Sequence, residues 1–364
     1  MIKFEKITKQ FPAASEPAVK NLYMEVPEAG ITVLVGPSGC GKTTTMKMVN
    51  RIYEPTDGKI YVNGKDTSKV DPIELRLDIG YVIQEIGLFP HMTIADNVAT
   101  VLYEKKWPKE KVNKRVDELL DLMGLDPDTY KNRRPSLLSG GQRQRVGVAR
   151  AMAANPPIML MDEPFAAVDP ITRERLQNEF LELQQKLNKT IIFVTHDINE
   201  AIKMGDKIAV MKDGSIVQFD TPTELLRNPA DEFVMNLVGN NRAVKSLSLI
   251  KCEKILKKNV LTVSDDVEVE NVNEKIDRSN LNIALVTDKR KTLQGFVSNV
   301  DLKNAIGRIG EIVRPYNKTL REDNNLSEAL SIMLEEGVYH VPILDEQNVF
   351  AGVITIDDIF KAVS

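Results

Sequence analysis

Residues 36–44 read Gly-Pro-Ser-Gly-Cys-Gly-Lys-Thr-Thr, a match to GxxxxGK[ST] that can wrap a polyphosphate. Gly36, Gly39 and Gly41 let the backbone close round phosphate oxygens, and successive N–H groups at a helix N-terminus supply positive potential there. Lys42 can reach the β- and γ-phosphates, and Thr43 offers a hydroxyl to Mg²⁺. Further on, Ile-Met-Leu-Met-Asp-Glu (158–163) sets an apolar run before two acids. The run buries a strand and delivers Asp162 to its C-terminal edge, where Mg²⁺ would sit, and Glu163 follows to orient or polarise an attacking water. Alone, such a string is as readily a strand with a solvated turn. Downstream of a phosphate loop it gains a metal-binding and a catalytic reading. A third string, Leu-Ser-Gly-Gly-Gln (138–142), is a polar loop that a lone nucleotide site does not need.

These groups require a scaffold, and residues 1 to about 240 alternate short apolar runs with amphipathic segments, the pattern of an α/β domain. ITVLV (31–35) predicts a buried strand leading into the phosphate loop, with a helix from about Lys42. In 110–123, Val112, Val116, Leu119, Leu120 and Met123 share one helical face. IMLM (158–161) and TIIFV (190–194) read as buried strands, and KIAVM and SIVQF flank Asp213-Gly214, a hairpin turn signal. Near 240–250 the texture changes, and a linker is expected there.

At 364 residues the chain is long enough for two or three domains. Its formal net charge of −4 argues against a dedicated nucleic-acid binder. Two cysteines, Cys40 and Cys252, are too few for a disulfide framework and fit a reducing compartment. Cys40 reads as a small loop residue rather than a redox centre. The N-terminus carries no apolar stretch of signal-peptide length, and no run approaches a membrane span, so work on a membrane must pass through partner subunits.

The C-terminal third repeats itself. IALVTDKRKTLQGFVSNVD (283–301) aligns without gaps on HVPILDEQNVFAGVITIDD (340–358), each reading strand, turn, strand, helix. Apolar-periodic helical segments precede the copies, around 267–278 and 326–336.

With these strings in hand, residues 1–240 resemble the ATPase of an ATP-binding cassette (ABC) transporter. Gln84 in YVIQ resembles the Q-loop glutamine, LSGGQ the family signature, AAVD (166–169) the D-loop, and His196 in FVTHD the switch histidine. The resemblance implies a P-loop NTPase fold and ATP with Mg²⁺. The loop Gly36, Pro37, Ser38, Gly39, Cys40, Gly41, Lys42, Thr43 and Thr44 would hold the phosphates, while Thr43, Gln84 and Asp162 would hold the metal. Glu163 would be the general base, His196 would contact the γ-phosphate, and Gln84 would signal to a membrane subunit. Phe11 stands where the family stacks an aromatic on adenine, although an ordinary core phenylalanine is the plain alternative. Two copies would pair head to tail, with Ser139, Gly140, Gly141 and Gln142 meeting the nucleotide of the partner and Asp169 at the interface. The D-loop departs from the commoner GALD or SALD, but Asp169 is kept.

Within the repeats, Gly295-Phe-Val-Ser298-Asn-Val-Asp301 and Gly352-Val-Ile-Thr355-Ile-Asp-Asp358 share the form G-h-h-[ST]-x-x-D. This resembles the adenosine ribose motif of CBS domains, and implies an α+β tandem CBS module with repeats at 250–306 and 307–364. Ser298, Asp301, Thr355 and Asp358 would bond a nucleotide. Leu285 stands where the second copy has Pro342, so the clefts differ, and the second, with His340 and Val341 entering it, is the expected ligand site. A pure dimerisation module is the alternative. An ABC ATPase followed by a CBS pair resembles the importer ATPases for quaternary-amine osmoprotectants (glycine betaine, carnitine, choline), whose CBS pair senses ionic strength or binds cyclic di-AMP. No charged tail is present, which favours an adenine nucleotide or cyclic di-AMP. The resemblance further implies integral membrane permease subunits, an extracytoplasmic substrate-binding protein, and a place on the cytoplasmic face of the membrane. Rival readings are an importer of another small solute, a soluble ABC ATPase acting on nucleic acid, and an adenylate-sensing module with an idle cassette. The single cassette without a zinc or heptad insertion disfavours the second, and the intact Lys42, Asp162, Glu163 and His196 disfavour the third.

Overall fold

Every residue of the strand Ile31–Val35 is buried, so both faces of its sheet must be covered. The structure is a computed structural model that describes all residues except 13, 84–86, 167, 278–280, 290–291, 304, 348 and 364. It divides into two compact units, Met1–Asn240 and Asn241–Ser364. In the first, the sheet runs Ser215–Asp220, Lys207–Lys212, Ile31–Val35, Thr190–Thr195, Ile158–Asp162, Ile79–Val82. All neighbours are parallel except the first pair, which the Asp213-Gly214 turn joins as a hairpin. Asp213 and Gly214 take φ of 48° and 82°, as a tight primed turn requires.

Parallel pairing has a functional consequence. The strands 31–35, 158–162 and 190–195 are consecutive neighbours, so their C-terminal ends share one edge. In open α/β sheets that edge is where ligands bind. A second, antiparallel sheet, ordered Val19–Val26, Ile2–Lys9, Asp57–Val62, Lys65–Asp66, packs over one face with Phe4, Ile7, Leu22, Met46 and Ile60 in the shared core. The helix Lys109–Leu122 buries Val112, Val116, Leu119 and Leu120, the expected face. Among the described residues, no helix is long and apolar enough to cross a membrane.

The second unit contains two three-stranded sheets of identical order. Thr262–Ser264 runs parallel to Ile283–Thr287, which pairs antiparallel with Leu293–Ser298; Leu320–Arg321, His340–Leu344 and Phe350–Thr355 repeat the arrangement. Register also repeats: Val286 lies opposite Gly295 and Ile343 opposite Gly352, each followed by an irregularity at the same step. The expected linker at 240–250 differs. Residues Arg242–Leu247 form a helix, and Leu247 is buried with Cys252, Leu326, Met333 and Ile354 in the core of the second unit. Leu247 has more to gain from that core than from solvent, which orders the segment.

Candidate functional site

The phosphate loop leaves the strand 31–35 and enters the helix Lys42–Val49. Its glycines answer close approaches. A Cβ on Gly36 would lie 2.1 Å from the Met211 carbonyl oxygen, and one on Gly41, at φ 100°, would lie 2.4 Å from that of Ala18. No side chain fits there, so the loop is held as a cradle of backbone. Gly214 N–H donates to the Cys40 carbonyl, and Lys20 N–H to that of Gly214, tying the cradle to both sheets. Lys42 is buried with its ammonium folded inward, donating to the carbonyls of Gly36 at 2.7 Å and Pro37 at 2.8 Å. It also reaches the Cys40 sulfur at 3.8 Å, so its close partners are neutral dipoles, a setting that favours an anionic ligand. Burial pushes the Cys40 thiol up, which agrees with a small loop residue and not a reactive thiolate.

Thr43 and Asp162, far apart in sequence, meet at this edge. The Thr43 hydroxyl donates to Asp162 Oδ1 at 2.9 Å. Burial pushes the Asp162 carboxyl up, opposed by that hydroxyl and by the Lys47 and Lys42 ammonium groups. A hydroxyl and a buried carboxylate beside a polyphosphate cradle form an all-oxygen donor set suited to Mg²⁺. Glu163 follows with φ 44°, a left-handed backbone that is strained for a non-glycine residue. Its N–H donates to the Val194 carbonyl, and its Oε1 lies 3.2 Å from Nδ1 of His196. His196 is mostly exposed and Glu163 mostly covered, so the imidazole overhangs the acid.

Phe11 is half-buried at the surface, outside the core, edge-on to Tyr53 at 5.2 Å, with the Lys9 ammonium 5.1 Å from its ring centre. Lys47, from the helix after the phosphate loop, stands over Tyr53, which places Phe11 on the same side of the unit. Gln84 lies outside the described residues. Among the described residues, a cavity of about 330 Å³ is lined by Tyr81, Ile83, Phe89 and Arg150. His91 is exposed near Phe89 and Trp107 is half-buried; neither meets these groups.

The signature residues lie apart from the cradle. Ser139 caps the helix Gly140–Met152 in a reciprocal box: its hydroxyl accepts from Gln142 N–H, and its own N–H donates to Gln142 Oε1. Ser139 is exposed, and Gly141 faces Thr172 of the helix Pro170–Leu187. That helix is capped by the exposed Asp169, whose carboxylate accepts from Thr172 N–H and is held below its usual range by doing so. The two strings therefore present neighbouring helix starts at the surface.

In the second unit, Ser298 and Thr355 each donate N–H and hydroxyl to the Oδ2 of Asp301 and Asp358. The opposite oxygens are taken by cations from the other repeat, Arg314 on Asp301 and Lys257 on Asp358, the latter at 2.7 Å. The backbones of these two cations pair with Phe296 and Val353, and a Cβ on Gly295 or Gly352 would strike the carbonyl of Arg314 or Lys257. So the glycine of each motif admits the neighbouring repeat. Of the two residues expected at the second cleft, Val341 is fully buried, and His340 packs against Phe296 and Tyr316, whose hydroxyl lies 3.0 Å from its Nδ1. Strand alternation puts both inside because both faces of this sheet are covered.

Burial pushes His340 from 6.5 down to about 4. The unfolded chain then takes up a proton between those values that the folded chain refuses, so stability is full above pH 6.5 and falls as the pH drops towards 4. Denaturant unfolding of the second unit is expected to lose roughly 2 kcal/mol between pH 7.5 and pH 5. His340→Asn should flatten that dependence; an unchanged pH profile in the variant would place the titration elsewhere.

Residues 19–166 match the model of the ABC transporter family, and 309–364 match the CBS domain. The chain is 44% identical over 360 residues to the glycine betaine/carnitine/choline transport ATP-binding protein OpuCA of Bacillus subtilis, covering 98% of this chain and 94% of that one. The chain belongs to the ABC transporter family, as an ATP-binding subunit. It is also 44% identical to the osmoprotectant import ATP-binding protein OsmV of Salmonella typhimurium, with the same coverage. Among solved structures, a dimeric ATP-binding cassette bound to ADP and Pi matches 61% of this chain and 99% of its own length, with 35% identity and a TM-score of 0.56. The protein is therefore an ATPase. What motif reading does not reach in this ATPase is the left-handed Glu163, the pairing of Arg314 and Lys257 with the repeat carboxylates, and a buried polar pair behind His196. Only the 57-residue offset between Lys257 and Arg314 hinted at the second of these.

Proposed function

We propose that this chain drives import of a quaternary-ammonium osmoprotectant, such as glycine betaine, carnitine or choline, by hydrolysing ATP in two sites shared by a homodimer. The observation that carries the reading is the convergence of Lys42, Thr43, Asp162, Glu163 and His196 on one sheet edge, in a chain resembling osmoprotectant transport subunits along almost all of its length. The loop 36–44 binds the phosphates and Lys42 turns from its carbonyls to them. Thr43, Asp162 and Gln84 would hold Mg²⁺, which would neutralise charge on the phosphate oxygens. Glu163 accepts a proton from the attacking water. His196 beside Glu163 contacts the γ-phosphate. Ser139, Gly140, Gly141 and Gln142 complete the site of the partner protomer, and Phe11 carries the adenine. Phosphoryl transfer depends on positioning more than on covalent chemistry, so a site completed only on dimerisation couples hydrolysis to movement.

Permease subunits dock at the cavity lined by Tyr81, Ile83, Phe89 and Arg150, an extracytoplasmic protein delivers the solute, and the chain works at the cytoplasmic face of the membrane. The paired repeats, a tandem CBS module, regulate the cycle by binding an adenine nucleotide, cyclic di-AMP being the first to test. Purification of the tagged full-length chain in mild detergent is expected to bring down a multi-span membrane protein. In vesicles that complex should take up labelled glycine betaine, carnitine or choline only when ATP is present on the ATPase side. Absence of a membrane partner, or uptake of none of the three, overturns the transport assignment. Calorimetry with cyclic di-AMP on a Lys42→Ala chain isolates the second unit; no affinity tighter than millimolar removes that ligand.

A further inference from the structure

Glu200 is a carboxylate that this chemistry leaves unused, although it is more than nine-tenths buried. It sits on the helix Ile198–Met204, one turn after His196. Gln177, also buried, reaches across from the helix Pro170–Leu187 and donates Nε2–H to Glu200 Oε1 at 2.9 Å. Burial pushes the Glu200 carboxyl up, opposed by the nearby Thr195 hydroxyl, the Gln177 amide and the Arg173 guanidinium one turn before Gln177. Thr195 Oγ1 itself accepts from Asp197 N–H, and Asp197 caps the Glu200 N–H. Arg173 also donates to the Val168 carbonyl at 2.9 Å, while its Nε is buried without a hydrogen-bond partner among the described residues.

The placement is telling. Thr195 adjoins His196, and Val168 adjoins Asp169, so one buried carboxylate bridges the segments that carry the switch histidine and the interface aspartate. An apolar pair would fill this space with no charge to desolvate, so the acid is poorly explained as a source of stability. A hydrogen-bonded carboxylate does what an apolar pair cannot: it fixes direction and register between two elements.

We propose that Glu200 is a positioning residue for ATP hydrolysis, holding His196 through Thr195 and the Asp169 turn through Gln177 and Arg173, so that both keep one frame around Glu163. The proposal rests on the reading of Glu163 and His196 as catalytic. That reading fails if Glu163→Gln keeps its turnover; this one fails on separate variants.

The test is steady-state ATP hydrolysis by the full-length chain, with melting temperature measured on the same samples. Glu200→Gln keeps the shape and removes the charge that attracts Arg173. Gln177→Glu sets two carboxylates face to face. The double swap, Gln177→Glu with Glu200→Gln, rebuilds the amide–carboxylate bond with the partners reversed. Each single variant is expected to lower kcat about tenfold or more, with KM for ATP within about twofold, because misplacement acts on the reacting geometry. The swap is expected to return kcat to within about threefold of the parent, as coupled neighbours do in a double-mutant cycle. The melting temperature of Glu200→Gln should stay close to that of the parent. Single variants at parental kcat, a loss carried by KM, or a swap no better than the singles overturns the proposal.

Discussion

A Glu163→Gln chain is expected to hydrolyse ATP at least about 100-fold more slowly while binding it as tightly as the parent, since general-base catalysis contributes on that scale. The amide keeps the size of the acid and keeps the backbone bond from residue 163 to the Val194 carbonyl, so the left-handed turn survives. What it loses is the ability to accept a proton from water. The nucleotide then stays uncleaved between two protomers, and an ATP-dependent dimer should accumulate on gel filtration. Turnover and dimer fraction check both halves. Undiminished turnover would remove Glu163 from its role.

Lys42→Ala should act one step earlier, on binding. In the structure the Lys42 ammonium is buried and served by two carbonyl oxygens. Exchanging those dipoles for phosphate charge makes its hydrogen bonds charge-assisted on both sides. Removing one partner of such a buried pair costs about 2–5 kcal/mol in affinity, or about 30-fold in Kd at the modest end. The fold itself should hold, because the variant leaves no carboxylate without a counter-ion in the loop. Equilibrium binding of a fluorescent ATP analogue measures the loss; an affinity within about twofold of the parent would show that the cradle N–H groups suffice.

Legibility was greatest where chemistry and local structure coincide. ITVLV and IMLMD are strands because each is an unbroken apolar run, and the acids or glycines that end them mark the functional edge. The hairpin at Asp213-Gly214 was equally plain, since few residues other than Asp, Asn and Gly tolerate two successive positive φ values. The 57-residue repeat even carried its register, down to Gly295 and Gly352 in equivalent places. Less was readable at 240–250 and at His340. The change of texture near 240–250 suggests a linker, yet Leu247 finds a core. His340 is placed by its motif, but its packing against Phe296 and Tyr316 comes from the other repeat and the adjoining segment, which its own string does not reveal.

The amino-acid sequence by itself determined the inventory of this protein: a phosphate-loop motif, an apolar strand ending in two acids, a histidine after another buried strand, and a duplicated C-terminal module. Each is a matter of residue type at short spacing, which local backbone geometry converts into a capability. The tertiary structure alone decided which of these groups meet. Thr43 and Asp162 are 119 positions apart, and they touch because their strands, separated in the sheet by 190–195, end on one edge. The same holds for Glu200 with Gln177 and for Lys257 with Asp358. Spacing along the chain fixes a residue's own helix or strand, but contact between distant residues is set by sheet order and packing, which only burial of the whole core selects.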